Sequence, residues 1–166
     1  MKKSLLILLL VAGCGGDDSQ AGNQATADGR TAGTGSPASP AGATRLTGLY
    51  EGGAGPPTNQ LCMVEKGKET RFGLLVWGGN LHSCSGVGLA VREGGRLRLS
   101  MTGDETCSIE ATLKDGVVTL PATLPTGCAY YCGARASLAG ASFTRSGATE
   151  ADAKKAADIA GDPLCD

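Results

Sequence analysis

The chain has 166 residues, 27 of them Gly, seven Cys and only six aromatic (one Trp, three Tyr, two Phe), with a formal net charge of −1. That length admits one ordinary domain plus appendages. The near-neutral charge leaves no electrostatic footprint for nucleic acid, and no apolar run reaches the roughly 20 residues that a spanning helix needs. In chain order, Lys2 and Lys3 precede an apolar run from Leu5 to Ala12, the charged start and short apolar stretch of an export signal over residues 1–13.

The run ends in Val11-Ala12-Gly13-Cys14, which resembles the lipobox of bacterial lipoproteins. The resemblance implies that the Cys14 thiol carries diacylglycerol, that the preceding peptide is removed, and that the new amino terminus is acylated, palmitate being the expected chain. Each buried methylene contributes about 0.8 kcal/mol; one acyl chain holds marginally and two or three hold durably. Gly15 and Gly16 follow, without the aspartate that retains such proteins in the inner membrane. The implied location is therefore the outer membrane, lipid-anchored and facing the periplasm.

Residues 14–44 form the next unit. From 15 to 44, Gly, Ala, Thr, Ser and Pro supply 23 of 30 positions, and the other seven are polar or charged. Nothing there offsets the entropy of ordering, so a flexible tether is expected, spanning on the order of 30 Å.

A β domain is expected over 45–146. Period-two alternation marks strands at 46–50, 60–65, 71–77, 85–92, 96–101, 107–113, 117–120 and 137–145. Lys66-Gly67-Lys68, Gly94-Gly95 and Asp115-Gly116 offer hairpin turns. The fold class is mainly β: an antiparallel meander of seven or eight short strands, either a small barrel or a sandwich. Residues 147–166 add a short helix, expected from Ala148 to Ala160, with Thr149 and Asp152 as a capping box and Gly161 and Pro163 as stops. Its apolar stripe is thin, so it must dock on the β domain.

With Cys14 assigned to the lipid, Cys62, Cys84, Cys107, Cys128, Cys132 and Cys165 remain. An even set in an exported chain reads as three disulfides. Near-symmetry about Gly94-Gly95 favours Cys84–Cys107, leaving Cys165 to join Cys62, Cys128 or Cys132. The spacing Cys128-Ala-Tyr-Tyr-Cys132 also suits two zinc thiolates, but a single histidine and an oxidising compartment favour disulfides. No metal or cofactor is expected.

Candidates for chemistry are few. His82 lies beside Ser83, without a nucleophile elbow; Asp104-Glu105 lacks calcium-loop spacing; and the Gly52–Pro57 stretch lacks the lysine of a phosphate loop. Catalysis is therefore not expected. Ten basic against eight acidic residues leave the β domain at +2, and Arg92, Arg96 and Arg98 flank one hairpin, where they would face a partner together or simply keep the strand face solvated.

The stretch Cys128-Ala-Tyr-Tyr-Cys132-Gly-Ala-Arg-Ala-Ser-Leu-Ala-Gly resembles a segment of small uncharacterised Gram-negative lipoproteins, and Ala160-Gly-Asp-Pro-Leu-Cys165 looks like part of the same pattern. The plan of lipobox, tether and disulfide-bonded β barrel is similar to that of the membrane-bound inhibitors of C-type lysozyme; no inhibitory residue carries over. The expected role is a binding module for a protein or envelope partner, with a carrier of small apolar ligands or lipid, or a weak envelope hydrolase, as alternatives.

Overall fold

The computed structural model describes residues 45–166; the export signal, Cys14 and the tether lie outside the described residues. Eight antiparallel strands follow one another around a closed barrel. They are β1 (Gly48–Gly52), β2 (Asn59–Lys66), β3 (Glu69–Trp77), β4 (Ser83–Glu93), β5 (Arg96–Met101), β6 (Ser108–Lys114), β7 (Val117–Thr119) and β8 (Ser142–Gly147). Strand β8 returns to pair with β1, so the expected meander resolves as a barrel rather than a sandwich. Among the described residues, closure leaves no edge strand open to another chain.

The two ends of the barrel differ. Turns 67–68, 94–95 and 115–116 gather at one end, where the described chain also begins and β8 stops. Asp115 and Gly116 both take positive φ, 51° and 79°, as a type I′ hairpin requires. Beneath these turns the Tyr50 hydroxyl donates to the Leu46 carbonyl at 2.8 Å. The Arg145 guanidinium lies 5.7 Å above the Tyr50 ring and donates to the Thr47 carbonyl at 2.5 Å, joining a cation–π contact to a hydrogen bond. Burial pushes the Tyr50 phenol above its ordinary pKa, with Arg145 opposing.

Longer connections occupy the other end, and the longest, residues 120–141, folds over it as a cap. A 3₁₀ turn at Thr126–Tyr131, which period-two alternation could not reveal, sets Cys128 against Cys107 and Cys132 against Cys84. The favoured Cys84–Cys107 pairing is thereby overturned. Strand β5 ends at Met101, and the chain turns back so that the Met101 N–H donates to the Cys107 carbonyl at 3.0 Å. Cys107 never runs alongside Cys84; Cys132 takes that place, in an antiparallel bridge with Cys84.

The third bridge, Cys62–Cys165, ties the C-terminal segment to the outside of the barrel. Its helix, α1 (Glu150–Ala153), is a single turn with the expected capping box of Thr149 and Asp152. The longer helix to Ala160 does not form. Eleven helical residues would carry the chain about 16 Å onward, whereas Cys165 must return to β2. Instead the Ala157 N–H donates to the Gln60 side-chain oxygen at 3.1 Å. Asp158 accepts from the Ala160 and Asp162 N–H groups at 2.8 and 3.0 Å, and the Leu164 N–H returns to the Ala156 carbonyl at 2.9 Å.

Candidate functional site

Alternate residues of the strands fill the barrel. Tyr50, Phe72 and Phe143 are fully buried there with Leu61, Met63, Leu74, Leu97 and Ile109, and the cap adds Cys128 and Leu138. The described cavities of 430, 650 and 570 Å³ are lined by the cap, by the short-turn end and by the outer wall.

Strand β4 reverses the usual arrangement. Its inward positions include Gly86, Gly88 and Ala90, while Val87, Leu89 and Val91 point outward. A Cβ at Gly88 would collide with the Ser100 carbonyl and the Phe72 ring, and one at Gly86 would press on Met101 and Tyr131. The large neighbours occupy the interior, so β4 brings its small residues in and its large ones out. Val87, Leu89 and Val91 remain 45%, 45% and 51% exposed. Three branched apolar side chains in one row form a patch rather than the scattered exposure common to soluble surfaces.

A groove of about 570 Å³ runs along this patch. Val87 and Leu89 line it from β4, Pro163 and Leu164 from the C-terminal segment, and Glu69, Arg71 and Asp166 supply charge of both signs. On the far side, Arg98 lies opposite Val91 and pairs with Glu110 at 2.7 Å and Glu93 at 3.4 Å. The hydrogen bond to Glu110, then the charges of both carboxylates, raises the Arg98 pKa further. An apolar floor with charged margins suits a protein segment better than a uniformly charged polymer.

The three arginines singled out in the sequence do not form one row. Arg96 and Arg98 alternate on the outer face of β5. Arg92 is paired in register with Leu97, whose side chain is buried in the barrel; it therefore belongs to the other face, at the short-turn end, and its Nε donates to the Gly94 carbonyl at 3.1 Å. The period of two separates Arg92 from the pair as soon as the hairpin register is known.

His82 closes a 3₁₀ turn at Gly79–Leu81 and is half-buried, with its Nδ1 beside the α-carbon of Gly133. Ser83 starts β4, and its carbonyl accepts from the Gly133 N–H at 2.9 Å. The His82 backbone is extended (φ −67°, ψ 146°), and consecutive residues in extended backbone project to opposite sides. Asp104 is used locally: its carboxylate accepts from the Thr106 hydroxyl at 2.5 Å and the Thr106 N–H at 2.8 Å, which lowers its pKa. Cys128 and Cys132 bond to different partners and offer no thiolate pair to zinc.

The fold and its surface therefore define an eight-stranded antiparallel meander barrel with a filled interior, a disulfide-bonded cap and an apolar outer groove. No family model, no curated protein and no solved structure matches this chain.

Proposed function

We propose that this chain is an outer-membrane lipoprotein, anchored through Cys14 and facing the periplasm, whose barrel acts as a binding module for a protein partner. The observation that carries the binding role is the outward row Val87, Leu89 and Val91 with the groove beside it. Side chains of that size exposed together on a strand favour burial against another surface, at about 25 cal/mol for each Å² of apolar area removed from water. The filled interior favours this reading over a carrier that holds its cargo inside the barrel. The separated directions of His82 and Ser83 favour it over a hydrolase. The anchor rests on the lipobox resemblance.

Inhibition of a lysozyme is one form this binding would take, and C-type lysozymes are the first partners to assay. The test places a photoreactive residue at position 89 of the full-length chain in intact envelopes, and another at exposed Lys114. A discrete adduct from 89, absent from 114 and abolished by Val87→Asp in a barrel that still unfolds cooperatively, is the expected result. Equal, diffuse labelling from both positions would remove the binding module. Cys14→Ser is expected to move the protein to soluble fractions; unchanged membrane association would remove the anchor while leaving the groove intact as a question.

A further inference from the structure

The three disulfides differ in what stands between them and solvent. Cys62 and Cys165 are buried, 0% and 3% exposed, beneath Leu164 and the packed Ala153 and Ala156. Cys107 and Cys128 are buried between the cap and the barrel. In the remaining pair Cys84 is buried, whereas Cys132 is the one domain cysteine that stays partly exposed. Cys132 lines the 430 Å³ cavity of the cap with Gly133, Ala134 and Ala136; Cys128 borders the same cavity but is only 2% exposed. Small side chains leave room there for an approaching thiol.

Backbone support also differs between Cys62 and Cys132. Strand β2, which carries Cys62, is hydrogen-bonded on both sides. Cys132 instead belongs to an isolated bridge outside any strand. Its segment is held by few bonds, among them Gly133 N–H to the Ser83 carbonyl at 2.9 Å and Gly79 N–H to the Arg135 carbonyl at 2.9 Å. Openings of this kind need only local motion, whereas exposing Cys62 requires the C-terminal segment to lift.

We propose that Cys84–Cys132 is an exchange site for dithiols, attacked at the Cys132 sulfur while the other two bridges keep the barrel closed. A thiolate of the dithiol bonds to Cys132 Sγ, the Cys84–Cys132 bond breaks, and Cys84 leaves as a thiolate that takes a proton. The second thiol of the reagent then attacks its own sulfur in the mixed disulfide. Cys132 leaves and is protonated, and the dithiol departs as a cyclic disulfide. Two electrons pass from the dithiol to the protein, and no other reactant is needed. The consequence is local: residues 132–136 lose their covalent tie to β4, and the cap loosens over the barrel end.

The test uses the full-length, natively folded protein in detergent with graded dithiothreitol, quenched by iodoacetamide and mapped by mass spectrometry. Cys84 and Cys132 are expected to become alkylated at least about tenfold faster than the other four cysteines, the ratio that local against larger-scale opening gives for a difference near 1.4 kcal/mol. Initial reduction of Cys62–Cys165 or Cys107–Cys128, or simultaneous appearance of all six thiols, would overturn the proposal. A Cys84→Ser/Cys132→Ser chain provides the second arm. It is expected to keep the barrel, the remaining bridges and their slow reduction; rapid reduction of either in that chain would show that the 84–132 bond protects the domain rather than serving as its exchange site.

Discussion

Two halves of the barrel wall carry outward apolar residues, and among the described residues only one is covered. On β1 to β3, Leu49, Cys62, Val64 and Leu75 face outward and are buried by Ala153, Ala156, Leu164 and Cys165 of the C-terminal segment. On β4, Val87, Leu89 and Val91 face outward and stay in solvent. The first wall shows what this chain does with an apolar outer face that belongs to its own fold: it lays its own C-terminal segment across and bolts it down with a disulfide. The second wall has the same kind of surface without the cover. The contrast supports the proposed reading of the β4 row as a binding surface.

The largest effect should come from releasing the cover. Cys62→Ser with Cys165→Ser removes a link between residues 103 apart in sequence, and is expected to cost about 2–5 kcal/mol in denaturant unfolding monitored at Trp77. Limited proteolysis should then cut residues 150–166 while the other bridges hold the barrel. A segment that stays protected would mean that packing alone retains it, and the two walls would differ less than proposed.

A smaller test compares one leucine from each wall. Leu164 packs on Gly73 so closely that a Cβ there would strike its carbonyl. Leu164→Ala is expected to destabilise by about 2–3 kcal/mol, near the low end for a buried leucine. Leu89→Ala should stay within about 0.5 kcal/mol, as for a surface position, while lowering partner adduct formation. Equal costs at the two sites would erase the distinction between covered and bare walls.

Why this division was hard to read from the sequence is clear at β4. Alternation identified the strand at 85–92, but Val87-Gly88-Leu89-Ala90-Val91 has no polar residue to mark the outer face. Ordinary reasoning would turn the large residues inward; only the bulk of Phe72, Met101 and Tyr131 inside explains the reversal. The other strands were legible where Arg, Ser or Glu alternates with Leu, as in β5, and the Asp115-Gly116 turn announced its own geometry. Disulfide partners were not, because sequence symmetry about a turn says nothing of where β5 stops. The helix stops short of Ala160 for a related reason: the capping box of Thr149 and Asp152 is local and visible in the sequence, while the need to return Cys165 to Cys62 is not.

That capping box gives the next prediction in size. Thr149→Ala should cost about 1 kcal/mol and raise amide exchange in residues 150–156 with little change on β5 or β6. Acid should act at the same place. The hydrogen bond from Lys155, then that from the Thr149 hydroxyl, holds the Asp152 carboxyl well below the usual carboxylate range. A depressed folded-state pKa means that the contribution is present above about pH 3.9, the ordinary value, and fades as pH falls toward the folded value. Protection of the C-terminal amides, measured against their intrinsic exchange rates at each pH, should therefore fall below pH 4 in the parent chain and change less in Asp152→Asn. Uniform acid loosening of all eight strands would assign the effect elsewhere.

Arg98 should give the smallest change in stability. Its guanidinium and both carboxylate partners are about half exposed, a setting in which ion pairs are screened and their side chains lose entropy on pairing. Arg98→Ala is expected to leave the unfolding midpoint unchanged within error, and added salt should not separate the two chains further. The same substitution should still be felt by a partner. Removing Arg98 leaves Glu93 and Glu110 without their shared cation beside Val91, so the margin of the apolar row becomes more negative. Charges at the rim of an interface mainly alter association rate and its salt dependence. The adduct from position 89 should therefore form at a changed rate at low salt and at the parent rate at high salt. A loss of stability with unchanged adduct kinetics would instead make Arg98 a fastener of β4 to β6, and the bare wall would lose its charged margin as an argument for binding.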